Sequence, residues 1–237
     1  MKFSFLGSSD SAGIPVHNCP CIVCENHREE KKQNLSTCAY IKIDDTIILL
    51  DAGIEDISSR FDGNKIEAVL LTHFHADHCL GLLKLRHSND EINCFHPKDE
   101  NGFSDLFKYN HSICYKEIKQ FETIKIKNIS FTSIPLKHSK NTFGYLIEYK
   151  DRTIAYLTDC SGISKESLDY AFIDACYDER KSLGNHLNYL QASEILDKMK
   201  VEKAYLMHIS HATQEYILQN NIELKYPYVK EDFSFTL

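Results

Sequence analysis

The sequence predicts an α/β fold in which two β-sheets pack face to face and helices cover the outside. Three observations lead there. Short apolar runs of strand length fall into two blocks along the chain, and helical segments follow each block. Several of these runs end directly in His or Asp, as strands do when they carry a site at one edge. The 237 residues, 43% hydrophobic and 26% charged, suffice for one substantial core, so a single domain over 1–237 is expected.

The elements read as follows. Lys2 to Leu6 is a first strand. Gly7 to Pro15 is a small-residue loop, and an irregular stretch with the charged run Glu29 to Lys32 continues to about Thr37. Cys38 to Ile43 and Thr46 to Leu50 form a hairpin around Asp44-Asp45, and Asp51-Ala52-Gly53 closes it. Glu67 to Leu71 is a buried strand, with a helix over Asp77 to Leu85. Ile92 to Phe95 is a short strand and Asp99 to Tyr109 a helix. The second block holds strands at Glu122 to Ile126, Asn128 to Ile134, Phe143 to Tyr149 and Thr153 to Leu157. A helix at Ser164 to Tyr170, a strand at Ala171 to Tyr177 and a helix at Asn188 to Lys200 follow. Ala204 to Met207 is the last core strand, before a helix at Thr213 to Gln219.

Composition excludes several roles. No run of about 18 apolar residues exists, so no membrane span is expected. Met1 to Leu6 is interrupted too soon for a signal peptide. With 27 basic and 34 acidic residues the net charge is −7, and no basic stripe invites nucleic acid. Lys125, Lys127, Lys137 and Lys140 add only local positive charge, the first two on solvated strand edges. Nine cysteines is an odd count without an export signal, which favours a reducing cytoplasm over a disulfide framework. Cys38, Cys79, Cys94, Cys114, Cys160 and Cys176 read as small buried hydrophobes. A homodimer is the base-rate expectation.

The chemistry concentrates in Thr72-His73-Phe74-His75-Ala76-Asp77-His78, which follows the strand Glu67 to Leu71. In extended backbone, residues two apart point the same way, so His73 and His75 can share one ion. Asp77 and His78 then turn towards a second. Imidazole with carboxylate suits zinc, iron or manganese. His138, Asp159 and His208 each lie just after a later strand, repeating the placement. Together these are enough donors for two ions about 3.5–4 Å apart, with Asp159 as the bridging carboxylate. Water held between such ions ionises near neutral pH.

A second cluster is Cys19-Pro20-Cys21-Ile22-Val23-Cys24, a chelating loop at about 17–27 that suits structural zinc. His17, His27, Cys38 and His211 are all conceivable fourth ligands. His211 stands three residues from His208, so zinc there would pin the N-terminal loop to an active-site loop.

Thr72 to His78, with His138, Asp159, His208 and Leu50-Asp51-Ala52-Gly53, resembles the metallo-β-lactamase superfamily over nearly the whole chain. The resemblance implies an αββα sandwich with two mixed sheets. It implies His73, His75 and His138 on one divalent ion (manganese or zinc), Asp77, His78 and His208 on the other, and Asp159 between. Asp51 would orient the His cluster. Pro135 to Leu146, with Thr158-Asp159, Asn185-His186, the cysteine loop and His208 to His211, is similar to the phosphoribosyl 1,2-cyclic phosphate phosphodiesterases of the carbon–phosphorus lyase pathway. That resemblance implies Cys19, Cys21, Cys24 and His211 on a structural zinc. It also implies His186 as proton donor, in a catalytic set with Asp77 and Asp159. The expected substrate is a small phosphorylated sugar, with phosphonate metabolism as its setting.

The chain departs from that family at Ser9, where glycine is usual, at Tyr177 to Arg180, and in the tail from Tyr226 to Leu237. The last two segments are candidates to line the substrate pocket. His87, His96 and His111 match no ligand position and read as surface or loop residues. The alternatives are a tRNA 3′-processing ribonuclease, which would want a basic arm, and a non-catalytic zinc scaffold, which should have lost ligands.

Overall fold

The computed structural model describes residues 1–158, 168–181 and 184–237. In chain order the first half comprises β1 (Lys2–Gly7), α1 (Ile22–Glu29), β2 (Cys38–Ile43), β3 (Thr46–Leu50), α2 (Ile57–Arg60), β4 (Lys65–Leu70), α3 (Ala76–Cys79), α4 (Leu82–Leu85), β5 (Ile92–Pro97), α5 (Ser104–Lys108) and β6 (Ile113–Ile118). The second half comprises β7 (Thr123–Ile126), β8 (Ile129–Leu136), β9 (Thr142–Tyr149), β10 (Arg152–Leu157), β11 (Leu168–Asp174), α6 (Tyr189–Lys198), β12 (Val201–Met207), α7 (His211–Gln219) and β13 (Ser234–Thr236).

Two mixed sheets result, ordered β13-β1-β2-β3-β4-β5-β6 and β12-β11-β10-β9-β8-β7. Strands β3 to β6 run parallel, as do β10 to β12. Parallel strands deliver their C-terminal ends to one edge, which is where α/β sheets place ligand sites. Asp51 follows β3, His73 follows β4, Cys176 follows β11 and His208 follows β12.

β3 shows why the sheets bury both faces. Its five residues, Thr46 to Leu50, are all buried. Ile48 and Leu50 point between the sheets, towards Phe3, Phe5, Phe131, Tyr145, Tyr156 and Phe172. Ile47 and Leu49 point outwards, under the layer holding Leu82 and Leu85 of α4. On the far side Tyr189, Ala192 and Leu196 of α6 cover Leu157, Ile173 and Leu206. Phe3 stacks on Phe172 across the sandwich with centroids 5.4 Å apart. Full burial of such a side chain stabilises by about 1.5–3 kcal/mol.

Several expectations need correction. The helix expected over Asp77 to Leu85 is two short helices split at Gly81. A Cβ there would lie 2.5 Å from the Ile54 carbonyl oxygen, and the Gly81 amide instead donates to Ala52. The helix expected from Asp99 begins at Ser104, because the Asp99 carboxylate accepts from the amides of Asn101 and Gly102 and forms a turn. Leu168 to Tyr170 belong to strand β11 rather than a helix, and β11 ends at Asp174 rather than Tyr177. The remainder of that expected helix, with Cys160, lies outside the described residues. Strands β6 and β13 and helices α1 and α2 were not foreseen.

His96 is 5% exposed on β5, wedged against Phe74, Phe107 and Tyr115, and is no surface residue. Burial holds its pKa below the usual histidine range. Cys114 is half-buried rather than buried. The tail does not line the candidate pocket among the described residues. β13 pairs with β1, and Phe235 stacks on Phe3, closing a sheet edge.

Candidate metal centre

The site is assembled from side chains whose hydrogen bonds fix each imidazole in one tautomer. Thr72 Oγ1 donates to the Asp51 carboxylate, 2.9 and 3.0 Å from its two oxygens. Its lone pair therefore accepts from Nδ1 of His73, 3.0 Å away. Nδ1 of His138 donates to the Asn185 carbonyl at 3.0 Å. Nε2 of His75 lies 3.4 Å from the Ser139 hydroxyl. The nitrogens left over converge. His75 Nδ1 is 2.8 Å from His73 Nε2 and 3.1 Å from His138 Nε2. Three imidazole nitrogens turned to one point form a donor set that could hold a divalent cation. A tetrahedral ion with nitrogen at 2.0–2.1 Å would set these edges at about 3.3 Å, so small shifts suffice.

Asp77, His78 and His208 form a second group, with ligand atoms within 4.8 Å of one another. Nδ1 of His78 donates to Asp51 Oδ2 at 2.8 Å. Nδ1 of His208 donates to Thr37 Oγ1 at 3.1 Å, since that hydroxyl gives its own proton to the Ser9 carbonyl. Each ring thus keeps Nε2 for an ion, and His78 Nε2 is 3.4 Å from Asp77 Oδ2. Such supporting hydrogen bonds set the basicity and orientation of metal-binding histidines. The donor chemistry of both groups fits divalent ions. Asp159, expected between them, lies outside the described residues.

The backbone is held tightly around these groups. Asp51 (φ 62°) and His208 (φ 61°) both adopt the left-handed conformation, which is costly away from glycine and clusters at functional sites. Gly53 lets the loop after β3 press onto the next segment, since a Cβ there would lie 1.6 Å from the Asp77 carbonyl oxygen. Burial pushes the Asp51 carboxyl above its usual range, against the bonds from His78 and Thr72.

A cavity of about 390 Å³ opens beside the two groups and is lined by His75, Asp77, His208, His186, Cys176 and Tyr177, with Asp10 and Ser11 at its edge. His186 Nδ1 is 3.4 Å from Oδ2 of the fully buried Asp174, which also accepts from the Leu187 amide at 2.8 Å. The His186 ring lies 5.0 Å from that of His208 and 5.1 Å from that of His138. Tyr177 meets it edge-on at 5.8 Å. Asp174, Cys176, Asp10 and Ser11 were not singled out from the sequence as site residues. The available signal was Asp174 itself, a carboxylate inside an apolar strand, which needs a partner when buried. A larger groove of about 630 Å³ lies between Phe61–Lys65 and Lys84–Asp90. Among the described residues it gathers no converging ligand set, so volume does not decide the site.

The cysteine loop closes a separate centre. Cys19, Cys21, Cys24 and His211 bring their ligand atoms within 4.8 Å of one another. Both Cys19 Sγ and Cys21 Sγ are 3.5 Å from His211 Nδ1, about the edge that tetrahedral zinc with sulfur at 2.3 Å requires. Of the alternatives, His27 is bound to Glu231 at 2.8 Å and Cys38 donates to the Asp51 carbonyl. Cys21 Sγ caps α1 by accepting from the Cys24 amide. The Arg28 guanidinium ties down the carbonyls of Cys19 and Val16 at 2.7 Å each. Without an ion, burial pushes the Cys21 thiol up to about 12, so zinc binding there must expel a proton.

A model of the beta-lactamase superfamily domain matches residues 46–209. The chain belongs to the beta-lactamase superfamily. Its structure is similar to that of a new diphosphatase from the PhnP family, with a TM-score of 0.81 and 25% identity over 99% of this chain and 97% of that one. It is also similar to Zn(2+)-bound PqqB from Methylobacterium extorquens, with a TM-score of 0.77 and 17% identity over the full length of both chains. In sequence it is 27% identical to ribonuclease Z of Pyrococcus horikoshii over 62% of this chain and 48% of that protein. It is 24% identical to an octanoyltransferase of Porphyromonas gingivalis over 98% of this chain and 50% of that protein. The chain spans about half the length of these curated relatives. It has the metallo-β-lactamase fold, with two mixed sheets flanked by helices. No helix among the described residues is long and apolar enough to cross a membrane.

Proposed function

We propose that this protein is a phosphodiesterase that opens a ribose cyclic phosphate, converting 5-phosphoribosyl 1,2-cyclic phosphate to ribose 1,5-bisphosphate. The observation that carries the reading is His186, backed by a buried carboxylate and set beside both ligand groups in one cavity. The likeness to a PhnP-family diphosphatase supports it.

His73, His75 and His138 would hold one divalent ion and Asp77, His78 and His208 the other, with Asp159 as a further carboxylate ligand. Two such ions, manganese by preference, would supply Lewis acidity at phosphorus and lower the pKa of a nearby water. This chain's own residues do the rest. Asp51 and Thr72 hold the histidines in their binding tautomers. His186 gives a proton to the departing sugar oxygen, a poor leaving group that needs one. Asp174 backs the His186 ring, with Oδ2 3.4 Å from Nδ1, while Tyr177 walls it in. Cys19, Cys21, Cys24 and His211 take a structural zinc that fixes the loop beside His208.

Phosphorus NMR of the cyclic phosphate with manganese-loaded protein tests this. Rapid appearance of a ribose bisphosphate, absent with His73→Ala, is expected. No conversion, with activity kept on a generic phosphodiester, would reject the substrate. The ribonuclease Z relatives favour a second reading, cleavage at the 3′ side of tRNA. The net charge of −7 opposes it, and a precursor tRNA in the same assay should stay intact.

A further inference from the structure

Cys176 is a buried thiol of the cavity that the mechanism above does not use. It follows β11, is 4% exposed, and offers a ligand atom within 4.8 Å of those of His186 and His208. Its backbone is clamped, since its carbonyl accepts from the Ser210 amide at 3.3 Å and from Thr213 Oγ1 at 2.7 Å. The His186 and His208 rings lie nearly parallel, 11° apart. One thiol and two imidazoles make a soft donor set. The neighbouring set, Asp77, His78 and His208, trades the thiol for a carboxylate and is harder.

His208 belongs to both sets but has one nitrogen to give, because its Nδ1 is engaged by Thr37. An ion on Cys176 and an ion on Asp77 therefore compete for the same Nε2. We propose that Cys176, His186 and His208 form an inhibitory site for a thiophilic divalent ion, zinc or cadmium, that excludes an ion from the Asp77–His78–His208 position. The thiol loses its proton to solvent as sulfur binds the ion. The occupant also removes His186 from proton transfer; this consequence rests on the proton-donor reading of His186, whereas the binding does not. A hard ion such as manganese has little affinity for the thiolate set and leaves it alone. The arrangement makes the enzyme selective for the metal that activates it.

The test is a cadmium titration of protein carrying zinc in its cysteine loop and manganese in its catalytic site. Three signals are followed: ultraviolet thiolate-to-cadmium absorption, free manganese by electron paramagnetic resonance, and turnover of bis(p-nitrophenyl) phosphate and of the cyclic phosphate. In the wild type a thiolate band should grow as manganese is released, with turnover falling about tenfold or more. Cys176→Ser should lack that added band and need about tenfold more cadmium for the same fractional loss of its own turnover. Equal bands and equal sensitivity in the two proteins would overturn the site. Should the variant not fold, cadmium-113 NMR of the wild type decides. A resonance from a one-thiolate centre, separate from the three-thiolate loop, is expected, and its absence overturns the proposal. Wild type that is inactive on the cyclic phosphate before any cadmium is added would count against the proposed substrate only, since the absorption and manganese signals still decide the thiolate site.

Discussion

The Asp51 carboxylate accepts a 2.8 Å hydrogen bond from Nδ1 of His78, and both side chains are wholly buried. The same carboxylate accepts from the Thr72 amide at 2.7 Å and from its hydroxyl. One residue thereby orients His78 directly and His73 through Thr72.

Asp51→Asn should therefore weaken both ion positions together. Loss of such a supporting contact costs about 10–100-fold in metal affinity. Chelator competition would read it, with zinc in the cysteine loop unaffected. Unchanged manganese affinity would show that Asp51 is only a strand-end residue.

Gly53→Ala tests the close approach of two loops. With a Cβ 1.6 Å from the Asp77 carbonyl oxygen, backbone must move on one side or the other. A loss of about 1–3 kcal/mol is expected from such overpacking, with weaker metal binding at Asp77. Denaturant unfolding and manganese titration would check it. A variant indistinguishable from wild type in both would sink the claim.

The cysteine loop should behave as a folding clamp. Cys21→Ser removes one of four converging donors and is expected to lower thermal stability by several degrees, at roughly 2–4 °C per kcal/mol in a chain of this size. Manganese content of the other centre should change far less. An unaltered melting profile with one zinc still bound would contradict the clamp.

Lys140 Nζ lies 2.8 Å from Asp99 Oδ2 and joins the loop after β5 to the segment carrying His138. Burial works to raise the Asp99 carboxyl, but bonds from Lys140 and from the amides of Gly102 and Asn101 outweigh it and hold it below 3.8. A depressed carboxyl contributes stability that is present above its unfolded value and lost as pH falls through its folded value. Lys140→Met should cost about 1–2 kcal/mol near neutral pH, and the gap from wild type should close in acid below about 4. Denaturant curves at several pH values would read it. A constant gap across that range would show that the pair is not its source.

His186→Ala should lower kcat by about 10²-fold or more on substrates with an alkoxide leaving group, and by much less on nitrophenyl phosphodiesters. Asp174→Asn should share that pattern at smaller size, because it acts through the His186 ring. Equal losses on both substrate types would mean that neither residue serves proton donation.

The hairpin β2–β3 and the helix α6 were legible because their causes are local. Asp44 (φ 51°) supplies the turn, and Asn188 and Gln191 form a reciprocal cap. The cluster from His73 to His78 was legible for the same reason, since ligand spacing in extended backbone is a property of neighbours in the chain. The break at Gly81 was not, because the obstruction is the backbone of residues 52–54. Nor was His96, whose burial depends on Phe107 and Tyr115 from other elements.

By itself, the sequence determined which residues have the chemistry to bind ions and roughly where strands carry them. Periodicity, turn residues and ligand spacing act over a few positions, so no distant contact is needed to read them. Only the tertiary structure decided which of these residues meet. It chose His211 over His27 and Cys38 for the cysteine loop, set Asp174 behind His186, and placed Cys176 beside His208. These choices depend on sheet order and on parallel strands ending at one edge, and they join residues up to 192 positions apart. At such separations chain neighbours carry no signal, and packing of the two sheets sets the distances.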